Sequence, residues 1–220
     1  MDISWPGHAC VRVRSRQTAV VMDPCDKASG FDMGRPTADI VTISNDDPHH
    51  SNRRGVRGQP LEIDGPGEYE VGGVQITGVA TYLEPPTEGQ PARRNTAYVV
   101  EGEELRLAHL GGLGAPLTAE QAEQLSNVDI LVVPIGAGGA FDAEQAARTV
   151  RTLEPKVVIP VHYAVTGRPV KGGDGGDDSP LKKFITAAGV EPEQGEQRLT
   201  IQRRGLGETL RIVLLEPRGS

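Results

Sequence analysis

Apolar residues in this chain come in short runs, and the runs follow two rhythms. In the first half they break on glycine, proline or polar pairs, which is the pattern of strands joined by tight turns. Residues 2–5 and 9–14 read as strands broken by Pro6-Gly7, and residues 19–22 as a buried strand ending at Asp23-Pro24. The β-branched run 39–44 delivers the chain into the segment NDDPHH. Residues 60–83 alternate and turn on glycine, with Gly72-Gly73 between apolar runs as a hairpin signal. After a polar stretch at 84–95, residues 96–100 and 105–108 flank EGEE as a second hairpin.

The second half alternates strands with helices. Thr118 opens a helix over TAEQAEQLSNV, and Gln121 three residues on completes a capping box. Residues 129–135 are a buried strand. Asp142 caps a second helix that stops before Pro155, and residues 156–161 are a strand that delivers His162. A long Gly-Asp loop spans 166–180; its spacing fits no EF-hand. A helix over 180–188 and strands at 198–203 and 209–215 close the chain. A β-rich half followed by an alternating half predicts an α+β fold with two packed sheets and helices outside. No linker divides it, so residues 1–220 are expected to form a single domain.

Charge and composition narrow the partners. The 220 residues carry a net charge of −7, which does not suit a phosphate-backbone surface built from clustered Lys and Arg. Arg53, Arg54 and Arg57 are the only dense basic cluster beside a motif, and they read as a solvated loop. No nucleic-acid partner is expected. No apolar run approaches the ~20 residues that cross a bilayer, and MDISWPGHAC has no basic segment leading into an apolar one. A cytoplasmic protein with no membrane partner is the expectation. Cys10 and Cys25 are too few for a disulfide framework and are expected to be free thiols.

The candidate chemistry lies in the histidines. All five, His8, His49, His50, His109 and His162, stand in short polar segments beside apolar runs. Loops of a sheet can bring such positions together, and neutral imidazole is the commonest protein ligand for divalent transition metals. Packing roles compete with this reading. His109 and His162 could be satisfied histidines at strand ends. His49 and His50 could be an exposed pair, since only a loop or helix start lets neighbours reach one ion.

Seven segments in order resemble the metallo-β-lactamase fold: W-P-G-H-A with His8, V-V-M-D-P with Asp23, D-I-V-T-I-S before NDDPHH, P-G-E-Y-E-V-G-G-V at 66–74, H-L-G-G-L-G at 109–114, D-I-L-V-V-P-I-G at 129–136 and V-I-P-V-H-Y at 158–163. The chain is most similar to short bacterial metal-dependent hydrolases resembling ascorbate-6-phosphate lactonase-like proteins. The resemblance implies a four-layer αβ/βα sandwich with the site at one edge between two mixed sheets. It also implies a small-molecule substrate and metal-activated water attacking an ester, lactone or phosphoester.

The family loop reads His-x-His-x-Asp-His and holds two metals bridged by a later Asp. Here Asn45, Asp47, His49 and Gly112 replace the first His, second His, loop Asp and bridging Asp, while His50, His109 and His162 match. The resemblance then implies one metal, with His49, His50 and His162 as its ligands and His109 and Asp47 as the remnant of the other site. Three imidazoles plus water are a known catalytic zinc set. Zinc is the expected ion, manganese and iron are alternatives, and an empty site is the next reading.

Asp47 and His8 are the catalytic candidates. His8 matches a position that shapes the pocket or contacts substrate, and Asp23 one that orients a ligand. Cys25 is a weaker ligand candidate, and Glu68 and Tyr69 divide between turn and substrate roles. The rival to hydrolysis is a non-catalytic member with a decayed site that binds or scaffolds. Homo-oligomerisation is compatible with either.

Overall fold

In the computed structural model, residues 1–136, 141–163, 165, 179–193 and 197–217 are described. In chain order the strands are β1 (Asp2–Gly7), β2 (Cys10–Ser15), β3 (Thr18–Met22), β4 (Ile40–Thr42), β5 (Leu61–Ile63), β6 (Gly67–Val71), β7 (Val74–Tyr82), β8 (Arg94–Gly102), β9 (Leu105–His109), β10 (Ile130–Pro134), β11 (Val157–Val161), β12 (Pro192–Glu193), β13 (Leu199–Thr200) and β14 (Arg211–Val213). The α-helices are α1 (Ala119–Gln124), α2 (Ala143–Leu153) and α3 (Ser179–Ala188). One sheet has the order β13-β1-β2-β3-β4-β5, the other β12-β14-β11-β10-β9-β8-β7-β6. Both are mixed: β3, β4 and β5 run parallel in the first, and β9, β10, β11 and β14 run parallel in the second. This is the expected α+β sandwich.

The inner faces of the two sheets share one apolar core. β10 (ILVVP) and β11 (VVIPV) are buried at every position, as strands covered on both faces must be. Tyr98 on β8 is fully buried, and its hydroxyl donates to Ile43 O at 2.8 Å, tying the second sheet to the end of β4. The helices cover the outside: α2 packs on β10 and against α3, and α1 packs on β7. On α2 the residues Ala143, Ala146, Ala147, Val150 and Leu153 are buried, spaced so that one helical face meets the core. Its N-cap is Asp142, and α1 carries the Thr118–Gln121 capping box read from the sequence.

The differences from sequence expectation lie at chain ends and turns. The run 198–203 shrinks to β13, which pairs with Asp2 and Ile3 of β1, and at Arg203 the chain turns into a 3-10 helix over Arg203–Gly205. The strand expected at 209–215 is Arg211–Val213, and β12 beside it is too short to leave a periodic signal. Helix α1 stops at Gln124, and Asn127 turns left-handed (φ 58°) before β10. The Gly-Asp stretch 166–178 lies outside the described residues.

Candidate metal centre

Turns from both sheets meet at one edge of the sandwich. β1 and β2 pair up to Gly7 and Cys10, so His8 and Ala9 form the two-residue turn between them. Gly7 has φ 133°, and a Cβ there would strike the ring of Phe31, so glycine is required for the turn. His162 follows the end of β11, and its backbone N–H donates to His8 O at 3.0 Å across the sheets. The Trp5 indole donates to the same carbonyl at 2.8 Å, and its ring stacks on Tyr163 at 5.1 Å. The His8 turn and the His162 turn are therefore one braced unit. His8, Asp23 and His162 all have left-handed backbones (φ 53°, 46° and 60°), a conformation that non-glycine residues adopt at a cost of about 1–2 kcal/mol. Such strain gathers where the fold must aim a side chain.

His50 comes from the third corner. Past β4 the chain makes a tight turn in which His50 N–H donates to Asp47 O (2.8 Å) and His49 N–H donates to Asp47 Oδ1 (2.8 Å). His50 Nδ1 then meets Asp23 Oδ2 at 2.7 Å, which leaves its Nε2 free. Asp23 also accepts from Ser44 N–H (2.8 Å) and Ser44 Oγ–H (2.6 Å). Burial alone would push the Asp23 carboxyl up. The charge and hydrogen bond of His50, then His109 and Ser44, outweigh that and hold it below the ordinary carboxylate value.

The result is a cluster of His8, His50 and His162. Ring centroids are 4.2 Å apart for His8–His162, 5.0 Å for His8–His50 and 5.5 Å for His50–His162. One nitrogen from each lies within 4.8 Å of the other two. Ligands on a tetrahedral zinc at ~2.0–2.1 Å stand about 3.4 Å apart, so small side-chain rotations close the site. Nδ1 of His8 and of His162 is buried with no hydrogen-bond partner. Leaving such atoms unpaired costs about 1–3 kcal/mol each, and a cation or water placed among them removes that cost. Burial, followed by the neighbouring His162, His50 and His49, drives the His8 pKa far down. Burial and then His50 push His162 down to about 3. Both rings are neutral near pH 7, which is the form that binds metal. The donor set and its protonation fit one divalent transition-metal ion.

The other expected residues go elsewhere. His49 points to the rim, where its Nδ1 meets Asp26 Oδ1 at 2.7 Å, and its ring sits 5.7 Å from that of His8. His109 is fully buried, with Nε2 2.8 Å from Ala9 O and Nδ1 accepting from Gly111 N–H at 3.0 Å. Both of its nitrogens serve the backbone, and it is not part of the cluster. Asp47 caps the turn that carries His49 and His50. Asn45 is locked in place, donating to Ser44 Oγ and accepting from Asp47 N–H. Gly112 stands where a side chain would press on Asn45 Nδ2 (2.8 Å from its Cβ position) and on His50 Cε1 (3.3 Å). Cys25 is a buried free thiol beside the site, and Glu68 and Tyr69 lie on β6, the far edge of the second sheet.

Asp26 carried no sequence signal, because nothing local pairs it with a histidine 23 residues away. The sequence reads His8 as shaping the pocket or contacting substrate, whereas the structure places it with His50 and His162; the Pro-Gly before it, a turn that can aim an imidazole, is the one local signal for that position.

The beta-lactamase superfamily domain family matches residues 2–162. A UPF0173 protein of Pyrococcus furiosus is 27% identical over 184 residues, covering 74% of this chain and 83% of that one. A UPF0173 metal-dependent hydrolase of Methanopyrus kandleri is 27% identical over 229 residues, covering 88% and 95%. A solved structure from Thermotoga maritima, described as a candidate Zn-dependent hydrolase of the metallo-β-lactamase superfamily, superposes with a TM-score of 0.77 at 31% identity and covers 99% of each chain.

Proposed function

The chain belongs to the beta-lactamase superfamily domain family, and on that premise we propose that it is a hydrolase that works with one divalent metal held by His8, His50 and His162. The observation that carries this is the buried imidazole cluster, with two nitrogens left unpartnered and an ionised Asp23 behind the third ring. A zinc-class ion bound there would supply Lewis acidity, lowering the pKa of water for attack on an ester, lactone or phosphoester of a small molecule.

The residues divide the remaining work. Asp23 fixes the tautomer of His50, with the Nδ1 proton on the carboxylate side and the Nε2 lone pair toward the cluster. Asp47 sets the turn that separates His49 from His50, and its charge also reaches His162. His49, braced by Asp26 and half-buried, stands at the rim next to His8, where an incoming substrate passes. The Trp5–Tyr163 stack keeps the His8 and His162 turns in register. A single domain over 1–220, acting in the cytoplasm, completes the reading. Among the described residues no helix is long and apolar enough to cross a membrane.

Alanine variants test the ligand set. Metal content of untagged protein should fall by at least about tenfold in His8→Ala, His50→Ala and His162→Ala, and persist in His49→Ala. His109→Ala should keep its metal but lose about 2–5 kcal/mol of stability, because it strands the Ala9 carbonyl and the Gly111 N–H. Full metal content in a folded His162→Ala protein, or metal loss confined to His49→Ala, would overturn the assignment.

A further inference from the structure

The two cysteines of the chain face each other in the core. Cys10 and Cys25 are both free and buried. Cys10 opens β2, and Cys25 follows the neighbouring β3, whose Met22 is paired with Val11. That register brings the two thiols together at the end of the strands, where the Cys10 side chain hydrogen-bonds to that of Cys25. Neither sulfur joins the cluster of His8, His50 and His162, so the pair is not part of the metal's ligand set. The chemistry open to two touching thiols that hold no metal is closure to a disulfide. Buried thiols stay inert where nothing reaches them. Cys25, however, is followed directly by Asp26, whose side chain is 34% exposed at the rim beside His49.

The pair is tied by short lengths of chain to the histidines above it. Cys10 stands two residues past His8. Cys25 stands two residues past Asp23, whose carboxylate holds His50 Nδ1. On the same side, the Cys25 carbonyl accepts from Asn52 Nδ2 at 2.9 Å, and the Pro24 carbonyl accepts from Asn52 N–H at 2.9 Å, two residues past His50. Replacing the non-bonded contact by a covalent bond draws the two sulfurs together. The His8 turn and the segment that carries Asp23 then move with them. A site that needs three imidazoles around one ion does not tolerate that shift.

We propose that Cys10 and Cys25 are a redox-modification site: a hydroperoxide oxidises them to a disulfide, which draws His8 and Asp23 out of position and weakens metal binding. The Cys25 sulfur attacks one oxygen of hydrogen peroxide, the O–O bond breaks, water leaves, and Cys25 becomes a sulfenic acid. The Cys10 sulfur then displaces that hydroxyl, which departs as water with the Cys10 proton. The two sulfurs lose two electrons in all, and both peroxide oxygens are reduced to water. A thiol reductant reverses the step by exchange. The effect on metal rests on the assignment of His8, His50 and His162 as ligands; the disulfide itself does not.

Mass spectrometry of the full chain after hydrogen peroxide treatment, before and after dithiothreitol, tests the site. The expected result is a loss of about 2 Da, mapped to a cross-link between the Cys10 and Cys25 peptides and restored by dithiothreitol. Cys10→Ala and Cys25→Ala should each abolish that loss. Zinc affinity of the oxidised protein, measured by competition with a chromophoric chelator, should be at least about tenfold weaker and should recover on reduction. An unchanged mass, or oxygen added at either cysteine without a cross-link, would overturn the modification site. A complete disulfide with unchanged zinc affinity would overturn its effect on the metal. Reduced protein that binds no zinc would sink the ligand assignment alone, since the mass shift still decides the thiol pair.

Discussion

Imidazole has two nitrogens, and the partner of the second decides what the first can do. In His109 both face backbone groups, so the ring is a cross-sheet strut. In His50 one is held by Asp23 and the other is free. The sequence places both at strand ends and cannot separate them, because the distinction depends on atoms contributed by residues far along the chain. Asp23→Asn should weaken metal affinity about 10–100-fold while leaving a folded protein, measured by competition with a chromophoric chelator. Unchanged affinity would detach Asp23 from the metal. Protonation makes a second prediction. Burial keeps His109 neutral in the fold, and His162, pushed down to about 3, behaves alike. In the unfolded chain both take a proton near 6.5. Below that value the unfolded state binds more protons, so the metal-free protein should lose stability as pH falls from about 6.5 toward 3. Urea midpoints at pH 8 and pH 5 check this, and a midpoint that is flat or rises on acidification would contradict it.

At the scale of elements, what the pattern revealed best were the central strands and the capped helices. β10, β11 and α2 lie within a residue or two of expectation, because continuous apolar runs and an Asp N-cap are local signals. The turns were less legible. Residues 103 and 104 link β8 to β9 as a two-residue turn with φ 55° and 61°, although both are glutamates. Such mirror-image turns favour Asn-Gly, and Gly72-Gly73 between β6 and β7 meets the same demand with glycine. Glu104→Gly should therefore stabilise the protein by about 0.5–1 kcal/mol, read as a higher denaturant midpoint at unchanged slope. Glu103 is the poorer choice, since its carboxylate pairs with the buried N-terminal ammonium of Met1. A lower midpoint for Glu104→Gly would show that the glutamate side chain, not the turn geometry, sets the local energy.

For the whole molecule, the order of segments along the chain was enough to indicate the sandwich, and the family match over residues 2–162 agrees with it. The site was harder to read, since position-by-position transfer put His49 among the ligands, whereas the folded chain gathers His8 with His50 and His162 and turns His49 to Asp26. Two features argue against a second ion: Asn45 and His109 are committed to internal hydrogen bonds, and Gly112 offers no bridging carboxylate. Everything then turns on how many ions the chain holds. The direct measurement is elemental analysis of untagged protein saturated with zinc and freed of excess by gel filtration. One tightly held ion per chain is the predicted result. Two ions per chain would mean that a second set of ligands exists, and none would mean that the histidine cluster is not a metal centre.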